Sequence, residues 1–133
     1  MFHSIEIPAD AVMLFNIVKL KPGKTIEDIE MGLGEMCNVV KETYGNEEGG
    51  FIAGQVFKYS GFISAEGSVN GGATEEDHCA IVTYWHSFEQ HERSHRDATF
   101  LEKFSAVASE CSETKELGYE LLWQGAPQSA MTH

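Results

Sequence analysis

The chain has 133 residues, of which 42% are hydrophobic, and its 21 acidic and 9 basic residues give a formal net charge of −12. This length and apolar content predict one domain, residues 1–133, with a core of its own. The negative charge argues against partners that carry phosphate backbones and against anionic lipid, so nucleic acid and membranes are not expected partners.

The cysteine content predicts a reducing environment. The chain has three cysteines, Cys37, Cys79 and Cys111. Their odd number and the absence of a CxxC pair argue against a disulfide framework or a structural zinc site. The first residues lack the basic and apolar regions of a signal peptide, and the longest apolar run is too short to cross a membrane. We therefore expect a cytoplasmic protein.

The first two elements have clear local signals. "VMLFNIVKL", residues 12–20, is rich in β-branched and aromatic residues and stops before Pro22, which predicts a strand. Thr25 then begins a helix, with Asp28 at the reciprocal capping position and an end near Gly45. The apolar residues of this helix follow helical spacing: Ile26, Ile29, Leu33, Met36, Cys37 and Val40.

The remaining elements follow in the order strand, strand, helix, strand. Residues 49–62 and 79–85 are predicted to be strands, separated by a long glycine-rich loop over residues 64–78. One helix is predicted from the Ser87 cap to about residue 109, and "YELLW", residues 119–123, is predicted to be the last strand.

This order predicts a ferredoxin-like α+β fold. The pattern βαββαβ places two helices on one face of an antiparallel sheet, with a core over about residues 12–124 and tails at 1–10 and 125–133. The uncovered face of the sheet also carries apolar residues. Burying that face against a second copy predicts a homodimer, or a higher homo-oligomer.

Two histidines stand out on the second predicted helix. His91 and His95 are four residues apart, so both rings can reach one ion from one helical face. Histidine is the commonest metal ligand in proteins. The alternative is that both are inward-pointing histidines bonded to carbonyl groups or water. Apolar residues share this predicted face: Phe88, Ala98, Leu101, Phe104 and Ala108.

A third ligand is offered by the acidic stretch "SETKELGYE". Two histidines and one carboxylate, with open positions, form the facial triad of non-haem iron, although zinc and manganese accept the same ligands. Glu116 and Glu120 are the main candidates, and Glu113 is a further one. Each could instead belong to a solvated acidic turn.

The thiol of Cys37 is a second candidate reactive group. Cys37 falls on the apolar face of the first predicted helix, where a free cysteine is usually an inert small hydrophobic residue. A bound cation nearby would change this, because positive charge lowers the pKa of a thiol.

The segment "YWHSFEQHERSHRDATFLEKF" resembles the iron-binding helix of sulfur oxygenase reductases. The matching features are Tyr84 and Trp85, followed by a helix with His91, His95 and Arg96. The known enzymes carry two copies of this fold in one chain, whereas this sequence has one.

The resemblance implies a site and an activity. It implies a mononuclear non-haem iron bound by His91, His95 and Glu116, and a catalytic Cys37 that carries the substrate as a persulfide. The implied substrates are O2 and elemental sulfur, a polysulfide or another small sulfur compound.

The resemblance also extends to a wider superfamily, the dimeric α+β barrels, which includes antibiotic biosynthesis monooxygenases and haem-degrading enzymes. Trp85 followed by His95 and Phe100, with Asn16 on the first strand, is similar to these proteins. This implies an alternative without iron. Asn16, Trp85 and His95 would polarise an aromatic substrate in a cofactor-independent monooxygenase, or a histidine would bind haem. A ligand-binding barrel without enzymatic activity is the third hypothesis.

Overall fold

The described residues form one four-stranded antiparallel sheet with three helical segments. The computed structural model describes residues 2–60, 62–63, 69–70 and 78–127. The sheet has the order β2-β5-β1-β6, and β3 and β4 form a separate two-stranded pair. This is the predicted ferredoxin-like α+β fold. In chain order, the elements are β1 (Val12–Leu20), α1 (Ile26–Tyr44), β2 (Phe51–Lys58), β3 (Phe62–Ile63), β4 (Val69–Asn70), β5 (His78–Trp85), α2 (Phe88–Ser94), α3 (Ala98–Ala108) and β6 (Cys111–Glu120).

The predictions for β1 and α1 are confirmed. Strand β1 covers residues 12–20, and α1 begins after Thr25 and ends before Gly45. The carboxylate of Asp28 accepts a hydrogen bond from the Thr25 backbone N–H at 2.8 Å, which satisfies one of the donors left free at a helix start.

All three helices lie on the same face of the sheet. Along β1, residues 12, 14, 18 and 20 are buried beneath them, as the period of two for a strand requires. Residues from α1, α3, β1 and β5 share one core cluster, and a smaller cluster lies at the Val12 end of β1. The larger cluster consists of Val18, Leu20, Ile29, Leu33, Met36, Cys79, Ile81, Val107 and Cys111.

The sequence predicted one continuous second helix over residues 87–109. This prediction is wrong, because the structure has two helices, α2 and α3, with a break between them. Helix α2 is capped by the Ser87 hydroxyl, which accepts from the Gln90 N–H at 3.1 Å, and it ends with His95 as its C-cap. Asp97 then caps α3 by accepting from the Phe100 N–H at 2.9 Å. A second strong N-cap inside the segment offers the backbone an alternative to continuous helix.

The bounds of two predicted strands also need correction. Strand β6 begins at Cys111 rather than at residue 119 and ends at Glu120, so Leu121, Leu122 and Trp123 follow the strand and are exposed. Strand β2 covers only residues 51–58 of the predicted 49–62.

Most of the predicted loop 64–78 lies outside the described residues, as does the tail from residue 128. Within the loop, residues 69–70 form β4, and His78 already belongs to β5.

The opposite face of the sheet is open and partly apolar. Phe15 and Tyr119 contact each other edge to face on it at 6.4 Å, and Tyr119, Leu117 and Phe57 are among its exposed residues. Among the helices of the described residues, none is long and apolar enough to cross a membrane.

Candidate metal centre

His91, His95 and Glu116 converge at one point on the helix-covered face of the sheet. Each offers a ligand atom, and these atoms all lie within 4.8 Å of one another. The His91 Nε2 is 3.0 Å from Oε2 of Glu116, and the His95 Nε2 is 3.5 Å from Oε1. Glu116 therefore bridges the two imidazoles, one oxygen to each ring.

Two features of the fold bring these side chains together. His91 lies in α2 and His95 at its C-cap, which places the ring centroids 4.3 Å apart. Glu116 lies on the edge strand β6 and pairs with Asn16 of β1, so its side chain points toward the helices. Glu120 pairs with Val12, about 13 Å further along β6 at 3.3–3.4 Å per residue, and is not part of this group.

The two histidines differ in their exposure. His91 is 3% exposed and packs edge to face against the buried Trp85, with centroids 5.2 Å apart. The side chain of His95 is 38% exposed, and its ring stacks on Phe100 at 5.7 Å. The side chain of Glu116 is 28% exposed, although most of β6 is open to solvent. A small molecule can therefore approach the site from the side of His95 and Glu116.

The carboxyl group of Glu116 has a lowered pKa. Burial is the largest single influence and raises the pKa, but the hydrogen bond with His91 and the positive charges that His91 and His95 can carry oppose it. The side-chain amide of Asn16 adds a smaller effect in the same direction. The net lowering keeps Glu116 an ionised carboxylate at neutral pH, as a metal ligand must be.

The second ring nitrogen of His91 has no hydrogen-bond partner among the described residues. Nδ1 is buried, and the nearest carboxylate oxygen, Oε2 of Glu92, lies 3.3 Å away without hydrogen-bond geometry. Such a buried polar atom is uncommon, because leaving it unpaired costs roughly 1–3 kcal/mol.

The donor set fits a divalent transition metal. Two imidazole nitrogens and one carboxylate suit iron, zinc or manganese and do not distinguish among them. A cation would take the place of the two Glu116–histidine contacts and would leave further coordination positions open.

Cys37 is not a member of this group. Within the described part of the chain, the cluster of potential ligands contains the two histidines and Glu116 but not Cys37. The Cys37 side chain is half-buried against the larger core cluster, and burial raises the pKa of its thiol. This environment favours the neutral, unreactive thiol.

The polar groups proposed for the alternative without iron are bonded within the protein. The Asn16 amide donates to the Ile81 carbonyl at 3.2 Å, and the Trp85 indole N–H donates to the Thr83 hydroxyl at 2.9 Å. The side chain of His95 is 38% exposed, whereas Trp85 is buried.

The sequence patterns missed one contact that supports the site. The Tyr44 hydroxyl of α1 donates to Asp97 Oδ2 at 2.8 Å, while Oδ1 of Asp97 caps α3. This fixes the chain two residues after His95. The cap itself had a local signal, an aspartate before an apolar helical run, whereas the contact with Tyr44 spans 53 residues and had none.

Two cavities lie elsewhere on the surface. The larger, of about 590 Å³, is lined by residues 6–8, 45–47, 51–52 and His86, and the smaller, of about 200 Å³, lies beside Gln90 and Arg93. Neither is lined by His91, His95 or Glu116, so the chemistry of the donor set, and not cavity size, identifies the candidate site.

No protein-family model matches the chain, and no curated protein matches it. Solved structures do. The cofactor-independent oxygenase SnoaB from Streptomyces nogalater is 12% identical with a TM-score of 0.62, covering 90% of this chain and all of that one. The hydroxynitrile lyase from Passiflora edulis is 13% identical with a TM-score of 0.64 and the same coverage. A putative antibiotic biosynthesis monooxygenase from Caulobacter crescentus is 13% identical with a TM-score of 0.62, covering 86% and 92%.

Identities this low show the fold alone, since one fold hosts many activities. The three proteins differ in activity, an oxygenase and a lyase among them, yet share the same arrangement of strands and helices. The structural neighbours of this chain thus include antibiotic biosynthesis monooxygenase-like proteins, and the chain shares with them the ferredoxin-like α+β fold.

Proposed function

We propose that this protein is a metal-dependent oxygenase that acts on a small molecule, with the metal bound by His91, His95 and Glu116. The observation that carries the proposal is the convergence of these three side chains, from α2, its C-cap and β6, to within 4.8 Å. A charged carboxylate and two imidazoles at this spacing are suitable ligands for one divalent metal ion. Iron is the first candidate, because two histidines and a carboxylate leave open positions and support O2 chemistry at iron.

The chain's own residues would each have a distinct part. His91 is anchored in the core against Trp85 and fixes one side of the site. His95 and Glu116 lie at the accessible side, where a substrate can enter. Phe100, stacked on His95, gives the accessible side an apolar wall.

The finer proposal is sulfur chemistry. The resemblance to sulfur oxygenase reductases supports elemental sulfur, a polysulfide or a small sulfur compound as substrate, with Cys37 as the persulfide carrier. The raised pKa of Cys37 sets a requirement, since the thiol must lose its proton before it can attack sulfur. A bound cation close to Cys37 is one way to lower that pKa.

Cys37→Ser tests the sulfur role separately from the metal. We expect unchanged iron content and complete loss of sulfur-dependent O2 uptake, because serine keeps the shape but not the thiol. The matched control is Cys111→Ser, which removes a thiol from the same core cluster. Unchanged O2 uptake in Cys37→Ser would remove Cys37 from the mechanism.

A cofactor-independent oxygenase is the second candidate, and two observations favour it. SnoaB, described as a cofactor-independent oxygenase, has a similar fold, and Glu116 lies against both imidazoles, as a carboxylate that orients a general base does. In this case His95, oriented by Glu116, would act as a general base that removes a proton from the substrate at the accessible side. Haem binding by a histidine is a variant of this candidate, and a Soret band on addition of haemin would reveal it.

Elemental analysis distinguishes the two candidates. Protein purified without a histidine tag is compared with the double variant His91→Ala/His95→Ala, both before and after anaerobic reconstitution with ferrous iron. Near-stoichiometric iron in the parent, absent from the variant, is the expected result. A parent that retains no metal after reconstitution would overturn the metal centre and leave the cofactor-independent oxygenase in first place. If His91→Ala then altered stability without altering any oxygenase activity, a non-enzymatic ligand-binding barrel would replace both.

A homodimer is part of the proposal. The open sheet face exposes Phe57, Leu117 and Tyr119, and burying it against a second copy would remove this apolar area from water. Light scattering should give a mass of twice 14.7 kDa, or a higher multiple, and Tyr119→Lys should shift it toward the monomer. A monomer in the parent would contradict the proposal.

A further inference from the structure

The ring of His91 lies between two carboxylates. Its Nε2 contacts Glu116 at 3.0 Å, and its Nδ1, on the other side of the ring, has Oε2 of Glu92 at 3.3 Å. Nδ1 is buried and forms no hydrogen bond with any described residue. The proposed metal centre uses Nε2 and leaves Nδ1 unexplained.

A metal on Nε2 fixes the state of Nδ1. A neutral imidazole carries one proton, so a cation bound to Nε2 leaves that proton on Nδ1. Nδ1 then becomes a buried donor that needs an acceptor. A carboxylate is the strongest acceptor available to it, because hydrogen bonds to ionised groups are about twice as strong as neutral ones.

We infer that Glu92 is a positioning residue for the metal centre, and that its carboxylate accepts the Nδ1–H of His91 when a metal occupies Nε2. The inference rests on the proposed metal site. A carboxylate that accepts from the far nitrogen of a ligating histidine fixes the tautomer and the ring orientation and makes the imidazole a stronger ligand.

The surroundings of Glu92 suit this role. Its side chain is 68% exposed, so packing does not hold the carboxylate in one orientation, and its Oε2 is already 3.3 Å from Nδ1. The Glu92 backbone carbonyl accepts the His95 N–H at 3.2 Å. The backbone of this residue thus contributes to the position of His95, and its side chain lies beside His91.

The chain supplies a matched control for a simple charge effect. Glu89 is in the same helix, carries the same charge and has a side chain that is 85% exposed, but its partner is Arg93 at 3.7 Å. A loss of metal affinity that reflects only the removal of a negative charge near the cation should occur in both Glu92→Ala and Glu89→Ala. Glu92→Gln separates charge from geometry further, because the amide oxygen still accepts a hydrogen bond.

The test measures Co(II) affinity by competition with a chelator, in the full chain, for the parent, Glu92→Ala, Glu92→Gln and Glu89→Ala. We expect Glu92→Ala to bind about 10-fold more weakly, at the low end of the 10–100-fold typical of such partners because the carboxylate is exposed. Glu92→Gln should regain most of that loss, and Glu89→Ala should stay within about 2-fold of the parent because solvent and salt screen exposed charges. In the Zn(II)-loaded parent, imidazole nitrogen NMR should show the proton of His91 on Nδ1.

Each failure has its own meaning. A parent that binds neither Co(II) nor Zn(II) overturns the metal centre and this inference together. A parent that binds while Glu92→Ala binds equally well overturns the role of Glu92 and leaves the metal centre standing. Equal losses in Glu92→Ala and Glu89→Ala overturn positioning in favour of a general charge effect, and thermal unfolding of every variant identifies any that loses its fold.

Discussion

Two groups of titratable side chains lie between the helices and the sheet, and they differ in their state of ionisation. The polar group, His91, His95 and Glu116, lies where β6 passes Asn16. The thiol group, Cys37, Cys79 and Cys111, lies toward the Leu20 end of β1. Along β1, the two groups are separated by only two to four residues.

The surroundings explain the difference in ionisation. Burial disfavours charge in both groups, but Glu116 has histidines and an amide beside it, which lower its pKa in spite of burial. Burial raises the pKa of each thiol, that of Cys79 to about 11, and the positive charge of Lys21 only partly offsets this effect at Cys111. Within one protein face, neighbouring donors decide whether a buried acid ionises.

Phe100 marks the boundary between the two regions. It packs against both core clusters and stacks on the ring of His95. The polar group is thus supported on one side by the same apolar core that keeps the thiols neutral. Substitutions in the polar group or in the thiol group alone therefore test whether the two regions depend on each other.

The largest expected effect is loss of metal binding in Glu116→Gln. We expect more than about 100-fold weaker Co(II) affinity, since even residues that only support a ligand cost 10–100-fold when removed. The control is Glu120→Gln on the same strand, which removes the same charge four residues away. Equal affinities in the two variants would show that Glu116 is not a ligand.

In the thiol region, Cys79 should react about 100-fold more slowly than an unshifted thiol. The pKa of Cys79 rises from 9.0 to about 11, so below pH 9 its thiolate fraction is about 100-fold lower than that of an unshifted thiol. Alkylation of Cys79 in the folded chain should therefore be at least that much slower than in the chain unfolded in urea.

The rate should still rise with pH up to about 11, because deprotonation generates the nucleophile. Mass spectrometry of the alkylated peptides measures each cysteine separately. Comparable rates in the folded and unfolded chain would contradict a neutral, buried Cys79. Faster alkylation of Cys37 on addition of metal would instead place a cation close to that thiol.

The smallest expected effect comes from the cap between α2 and α3. Asp97→Ala removes both the cap on Phe100 and the acceptor for Tyr44, so we expect about 1–2 kcal/mol lower stability to unfolding in urea. Co(II) affinity should fall by less than about 10-fold, through the altered position of His95.

Two variants separate the contributions of Asp97. Asp97→Asn should keep the cap, since asparagine caps as well as aspartate, and Tyr44→Phe should lose only about 1 kcal/mol, the usual value of one hydrogen bond. Unchanged stability in Asp97→Ala would show that the helix break does not depend on this residue.

The parts of the fold that could be predicted have local causes. Strand β1 is an apolar run that ends before Pro22, and α1 has its cap at Thr25, so the sequence alone gives their bounds. The break between α2 and α3 had a local signal in Asp97, but the apolar spacing across it matched one continuous helix. The spacing of apolar residues reports which face is buried and does not report whether the helix is continuous.

Strand β6 could not be placed from the sequence. Most of its residues are exposed and four of the ten are charged, so no alternation marks it, and only the pairing with β1 makes residues 111–120 a strand. "YELLW" looked more like a strand because it is apolar, yet three of its residues extend past the last pairing.

The candidate site likewise has one part that local sequence predicts and another that depends on tertiary contacts. The sequence by itself determined that two histidines lie one helical turn apart and that the later stretch "SETKELGYE" contains three glutamates, because this depends only on spacing. Only the tertiary structure decided that Glu116, 25 residues from His91, is the glutamate that reaches both rings. The register of β6 against β1 sets that choice, and a register is fixed by contacts between strands that are distant in sequence.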